Sequence, residues 1–397
     1  MVATGRALYT RFSLSVRRIG PVRILYGVVG EGMGHATRSA VVVEHLVGSG
    51  HEVRVVVSGR AHGFLVDRLK SSERATVEEI EGLTLRYLGN RLDMTGSIFH
   101  NLQNAPRAIR KNIKVYRKVA EDRFEPELVV SDFESWAALY ALRHRLPVIS
   151  IDNLQIINRC KHDKRITAAK GFNFRVARLA VRVKVPGAYH YLVSSFFFPP
   201  VRKRRTTLVP PILRSEVIAA EREPGDHVLV YLRAADPKRL LGVLRKFDHR
   251  RFFVYGAGEA GTDGNVTVCE FSPSRFLDHL RTARAVIAGG GFTLMSEAVS
   301  LHVPMLSVPI ENQYEQELNA RYLEHLGYGM RARRLTGEAV DRFLQKTDWL
   351  ADNLETYPRQ DNSMFFGCLD ELIDLRAKGK KRPKRLASPA MGKWEEG

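Results

Sequence analysis

Short apolar runs recur along the chain: Val22–Val29, Glu52–Val57, Leu128–Val130, Val148–Ile151, His227–Leu232, Arg251–Tyr255, Asn265–Cys269, Ala285–Ala288 and Pro304–Pro309. Most are continuously apolar rather than alternating, which predicts strands buried on both faces. Glycine or polar residues follow each run, and the better-defined ones lead into helical periodicity, as with Ala36–Leu46 after the first. A strand–loop–helix rhythm of this kind predicts an α/β protein built on parallel, doubly wound sheets. The rhythm breaks once. Tyr189–Phe198 reads as the last strand of a first domain, and Pro199-Pro200, the Arg202–Arg205 run and Pro210-Pro211 mark a linker. The expected organisation is a basic extension (1–21), a first Rossmann-like domain (22–200), a linker (201–215), a second domain (216–349), a closing helical segment (350–377) and a basic tail (378–397).

Charge adds a constraint that the pattern lacks. The 397 residues carry a formal net charge of +19, which implies an anionic partner: nucleotide phosphate, nucleic acid or a membrane surface. Two basic stripes at helical spacing, Arg107, Arg110, Lys111, Lys114, Arg117 and Lys118, then Arg175, Arg178 and Arg182, fit an anionic lipid surface. The alternative is a solvated helix face of a basic protein. The Arg202–Arg205 run lacks the base-stacking aromatics of a nucleic-acid recognition fold, so nucleic acid is disfavoured. Cys160, Cys269 and Cys368 are odd in number and form no Cys-x-x-Cys pair, which favours a reducing cytoplasm over a disulfide framework. No run approaches the roughly 18 apolar residues of a membrane span. The first 21 residues have the Arg/Ser/Thr composition of a transit peptide without the apolar core of a secretory signal, and read as an extension ahead of the globular part.

The candidate chemistry is concentrated in residues 285–321. A buried strand breaks at Gly289-Gly290-Gly291 and resumes as a helix carrying Glu297; a second strand then leads to Glu311, Asn312, Gln313, Glu315 and Gln316. Such a break lets a phosphate approach the backbone and aims the helix N-terminus, with its unpaired N–H groups, at the anion. Glu297 lies about two turns further on, where a carboxylate can accept both hydroxyls of a ribose. The loop beyond supplies polar partners for sugar hydroxyls, so the stretch describes a nucleotide-sugar site. In the first domain, Gly30, Gly32 and Gly34 follow the opening strand. Their spacing departs from the dinucleotide fingerprint, and no acid ends the next strand, which argues against a nicotinamide cofactor. His35 then serves as general base, as a phosphate contact or as a simple cap of the following helix. Asp132, Glu134, Asn153 and Gln155 follow strand ends, where doubly wound folds line their clefts; Asp132 is equally a helix N-cap.

Gly290-Gly291, Thr293, Glu297-Ala298, the Pro304–Pro309 strand, Glu315-Gln316 and Asn319-Ala320 together resemble the donor-binding region of inverting glycosyltransferases of the GT-B fold. The branch they resemble holds the peptidoglycan N-acetylglucosaminyltransferase MurG and the monogalactosyldiacylglycerol synthases. His302 stands where that family has Gly, and reads as a left-handed cap variant. The resemblance implies two domains facing across a cleft, with a C-terminal helix packing back across them. It assigns the diphosphate to Gly290 and Gly291, with Thr293 and Asn319 beside them, the ribose to Glu297 and the donor sugar to Glu315 and Gln316. It also implies phosphate contacts from Gly34 and Arg233, a base contact from Phe271, and His35 as base with Asp132 next in line. The second acid of retaining relatives, eight positions before Glu297, is here Gly289, which favours inversion. No metal or other cofactor is expected, because Asp-x-Asp and metal-spaced His/Cys clusters are missing from the sequence. The implied function is transfer from a UDP-sugar, such as UDP-N-acetylglucosamine or another hexose donor, to a lipid-linked or envelope-glycan acceptor. The implied location is cytoplasmic, peripheral on the inner face of the membrane. A UDP-N-acetylglucosamine 2-epimerase of the same fold is the nearest rival, and a basic nucleic-acid-binding protein the rival from another class.

Overall fold

The structure is a computed structural model that describes residues 20–377 other than 31, 123, 168–170 and 233–235, together with Leu386. The expected extension up to residue 19, the expected phosphate contact Arg233 and nearly all of the basic tail therefore lie outside the described residues.

Sixteen strands are described, in three sheets. β1 (Arg23–Val28), β2 (Glu52–Ser58), β3 (Ala75–Ile80), β6 (Leu128–Asp132), β7 (Val148–Asp152), β8 (His190–Ser194) and β9 (Thr206–Val209) form a parallel sheet in the order β3-β2-β1-β6-β7-β8-β9. β4 (Arg86–Leu88) and β5 (Arg91–Asp93) make a separate hairpin. The second sheet joins β10 (Val228–Tyr231), β11 (Phe252–Tyr255), β12 (Gly261–Asp263), β13 (Val266–Cys269), β14 (Ala285–Ala288), β15 (Met305–Ser307) and β16 (Gly329–Arg331) in the order β12-β13-β11-β10-β14-β15-β16. Only its edge strand β12 runs antiparallel. The continuous apolar runs become strands because helices cover both sheet faces; β6, β7, β8 and β14 are buried along their whole length.

The linker expectation needs correction. Thr206–Val209 is not a connector but the edge strand of the first sheet, paired in register with β8. The aromatic run before it packs between the domains. Phe196 stacks on Phe292 at 6.2 Å between centroids and Phe197 on Tyr322 at 3.9 Å, so the two domains share one apolar cluster. The closing helix Ser363–Ala377 returns to the first domain, where Phe365, Cys368, Leu369, Leu372 and Ile373 join the core around β1 and β2. No helix among the described residues is long and apolar enough to cross a membrane.

Each sheet reverses its winding once, between β1 and β6 in the first and between β10 and β14 in the second. Such switch points open a crevice beyond the strand C-termini. The candidate site residues His35, Asp132 and Gly289-Gly290-Gly291 sit there.

Candidate active site

Beyond β1 the chain turns at Gly32, at φ 87° in the left-handed region, and enters the helix Met33–Gly48. The helix starts earlier than the apolar pattern predicts, so His35 falls within its first turn. Asp132, the last residue of the neighbouring β6, lies beneath it. His35 Nδ1 is 2.9 Å from Asp132 Oδ1. The carboxylate also accepts from Arg38 Nε at 2.8 Å, from Ser39 Oγ at 2.9 Å and from Arg38 Nη2. Arg38 Nη2, which carries two hydrogens, also lies 2.7 Å from His35 Nδ1. In the tautomer whose Nδ1–H donates to the buried Asp132 carboxylate, the Nε2 lone pair is left without a partner among the described residues. The His35 side chain keeps 16% of its surface accessible, and that of Asp132 keeps none.

The charges behind His35 are unequal. Burial alone would raise the Asp132 pKa, but Arg38 and His35 outweigh it and hold the carboxyl far below the usual range. Asp132 is therefore a fixed anion that orients the imidazole, and its assignment as a stand-in base is corrected on that ground. Asp152, at the end of β7, moves the other way. Burial, reinforced by the Asp132 charge, pushes it up to about 6 even though Gln155 N–H and Ser150 Oγ donate to it. A raised carboxyl pKa means the native state binds the extra proton between the ordinary carboxylate range and about pH 6, so its contribution falls as pH rises through that window. Asp152→Asn is therefore expected to stabilise the protein above pH 6 and to flatten its stability between pH 4 and 6. Urea unfolding at pH 5 and pH 8 checks this, and a wild-type pH dependence retained in the variant would refute it.

In the second domain, Gly289-Gly290-Gly291 leads from β14 into the helix Phe292–Ser300, whose N-terminus has no side-chain cap. A Cβ on Gly290 would lie 2.5 Å from Gln316 O, and one on Gly34 would lie 2.5 Å from Thr293 Oγ1. The glycine turns of the two domains thus pack close: Gly34, beside His35, touches Thr293 in the first turn of the donor-side helix. Further contacts close the cleft. Asn153 Oδ1 accepts from Arg38 Nη1 at 3.0 Å, and its Nδ2 donates to Glu315 Oε1 at 2.9 Å, which carries the histidine network into the expected sugar-binding loop. The β4–β5 hairpin latches onto the same loop through Leu92 N–H to Glu311 O (3.0 Å), Glu311 N–H to Asn90 O (2.9 Å) and Gln313 Nε2 to Tyr87 Oη (2.9 Å).

Several sequence-nominated residues have other work. Glu297 is buried, and its two carboxylate oxygens meet Arg214 Nε and Nη2 at 2.8 and 2.9 Å. Gln316 Oε1 accepts from the Gly290 and Ile310 amides, and Asn319 Nδ2 donates to Gly290 O, so both shape the glycine turn through its backbone. The buried Glu134 carboxylate caps the helix Ser135–His144 through Trp136 and Ala137 N–H, and burial raises its pKa. Gln155 is likewise buried, donating to Val181 O. Phe271 is exposed and stands 6.5 Å from Tyr231, another exposed ring, at the end of β10. His302 adopts φ 54° just after the helix Phe292–Ser300, the left-handed geometry read for it.

Sequence reasoning missed Arg38, Arg214 and Tyr231. Arg38 had a signal: a lone arginine one turn after His35, on a helix face otherwise made of Ala, Ser, Val and Leu. Arg214, lying in the supposed linker, had none.

Among proteins of known sequence or structure, the family model described as Glycosyl transferase family 1 matches residues 22–347. An uncharacterized glycosyltransferase of Methanosarcina acetivorans is 27% identical over 349 residues, covering 78% of this chain and 85% of the relative. The solved UGT2 of Phytolacca americana, complexed with UDP-2-fluoroglucose and pterostilbene, superposes with a TM-score of 0.63 at 13% identity, over 90% of this chain and 99% of that one. The solved LpCGTa in complex with UDP gives 0.59 at 14% identity, over 85% and 94%. At such identities the likeness shows the fold, two Rossmann-like domains in the GT-B arrangement.

Proposed function

This chain belongs to glycosyl transferase family 1, and from that premise we propose that it transfers a sugar, with inversion, from a UDP-sugar to a lipid-linked or envelope-glycan acceptor. The observation that carries the reading is the meeting, across the cleft, of the oriented His35–Asp132 pair with the uncapped helix N-terminus after Gly291. In the proposed step, His35 Nε2 takes the proton of an acceptor hydroxyl. The hydroxyl oxygen attacks the anomeric carbon from the face opposite the diphosphate, and the carbon–oxygen bond to UDP breaks. Charge gathers on the leaving diphosphate, where the free amides at Gly291 and beyond would stabilise it. Asp132 offsets the imidazolium that forms. The bound UDP and UDP-2-fluoroglucose of two structural neighbours favour uridine diphosphate as the carrier. Glu315 and Asn153 would set the sugar against the base.

An acceptor drawn from a membrane is supported by the helix Met94–Glu121. It exposes Ile98, Phe99, Leu102, Ile109 and Ile113. Of the basic stripe beside them, Lys111 and Lys118 pair with acids of β3, whereas Arg107, Arg110, Lys114 and Arg117 form no ion pair among the described residues. Peripheral attachment to an anionic bilayer suits both features.

The donor assignment is tested at Glu297. Each carboxylate oxygen gives one lone pair to Arg214 and keeps another for a ribose hydroxyl. Glu297→Ala is expected to weaken UDP binding by about 10- to 100-fold, the scale of one charge-assisted hydrogen bond. Calorimetry on the folded variant checks this; unchanged UDP affinity would remove Glu297 from the donor site.

A further inference from the structure

A group of cations on the first domain has no part in this chemistry. The short helix Gln155–Arg159 is stitched to the helix Phe172–Lys184 by the Gln155 Nε2 bond to Val181 O, between Arg178 and Arg182. Arg202 and Lys203 fold onto the same place. Their main-chain N–H groups both donate to Arg159 O, at 2.8 and 3.2 Å. Their side chains both reach Asn158: Lys203 Nζ donates to Oδ1 at 2.6 Å and Arg202 Nη2 to the carbonyl at 2.9 Å. Arg159 itself lies over the Tyr191 ring at 3.6 Å. Among the described residues, none of these five cations is ion-paired with a carboxylate, although Arg38, Arg68, Arg214, Arg281 and Arg321 all are. Asp152 reaches Arg159 electrostatically but is sealed in the core, and Asp163 accepts from the backbone of Arg165.

Like charges held together without counter-charge are destabilising unless an anion joins them. We propose that Arg178, Arg182, Arg202 and Lys203 bind a phosphoryl dianion at a site apart from the donor crevice. Three features point to phosphate: the half-buried Lys203 ammonium, the planar guanidinium forks beside it, and the dianion's ability to accept from all of them at once. The site sits beside the cleft, because Phe174 of the same helix packs on Tyr314 at 5.2 Å, at the start of the sugar-loop helix. It goes beyond the donor reading and does not depend on it. Burial, and then Arg159, Arg202, Arg178 and Arg182, pull the Lys203 pKa down to about 8, a record of positive potential awaiting an anion.

The test uses the full-length protein, inorganic pyrophosphate and vesicles containing phosphatidic acid. Arg178→Gln/Arg182→Gln removes two guanidiniums that make no side-chain hydrogen bond among the described residues. Pyrophosphate affinity by calorimetry is expected to fall by about 10-fold or more in the double variant. Binding confined to the vesicles and lost in the variant supports the site equally, and identifies the source as a lipid headgroup. In wild-type protein with 13C-methylated lysines, the Lys203 titration is expected to move up by about one unit or more on adding whichever anion binds. That readout needs neither a substitution nor a nucleotide, so it survives a misfolded variant and a wrong donor assignment alike. An unmoved Lys203 titration, or anion affinity equal in wild type and double variant, overturns the proposal.

Discussion

Replacing His35 with alanine is expected to lower turnover by about 10²- to 10⁴-fold, the span of a positioned general base, with UDP affinity unchanged. The expectation rests on the tautomer. With Nδ1–H donating to Asp132, Nε2 is the basic nitrogen, and it has no partner among the described residues. The side chain stands next to Gly34, which touches Thr293 at the entrance of the donor-side helix. The proton acceptor thus lies close to where the anomeric carbon would be held, and its loss removes an interaction made only as the reaction proceeds. The measurement is UDP release from a UDP-sugar in the presence of membrane lipid extract, set beside calorimetric UDP binding. Equal turnover in wild type and His35→Ala would end the general-base assignment; lost UDP affinity with retained turnover would make His35 a phosphate contact instead.

The second large effect is expected at Asp132, in stability as well as rate. Asp132→Asn keeps the shape but removes the charge that faces Arg38 and His35. Arg38 is 3% exposed, so it loses its paired carboxylate while still buried, and breaking such a pair costs about 3–5 kcal/mol. Turnover should fall with it, because an amide no longer fixes the imidazole tautomer or offsets imidazolium. The two effects are separable. In Arg38→Met/Asp132→Leu both charges are gone, and part of the lost stability is expected to return while turnover does not. Urea unfolding and the same turnover assay read the two quantities. pH gives a further check. A carboxyl whose folded pKa is depressed contributes stability that is present above the ordinary carboxylate range and lost as pH falls toward the folded value. Wild type should therefore lose stability on acidification more steeply than Asp132→Asn. Parallel acid profiles would mean that Asp132 is not the fixed anion described.

His35 and Asp132 were both legible as candidates, but as rivals for a single role. They stand 97 positions apart, and no spacing rule connects them. They meet because β1 and β6 are neighbours at the point where the sheet reverses its winding. The same register explains Arg38, which reads as an out-of-place charge on an apolar helix until Asp132 is set beneath it. Glu297 shows the reverse case. Its place in the helix follows from local pattern, but its partner Arg214 comes from a stretch read as linker.

The sequence by itself determined what depends on near neighbours: continuous apolar runs that must be covered on both faces, glycine breaks that end strands, and the helix that carries Glu297. Periodicity and turn chemistry act over a few residues, and a linear reading captures them. Only the tertiary structure decided which groups share charge and hydrogen bonds. It made Asp132 an orienting anion, Glu134 a helix cap and Thr206–Val209 a strand, and it set the two glycine turns against each other. Those outcomes follow from burial and strand order, which bring distant side chains within about 3 Å, the range at which a hydrogen bond forms.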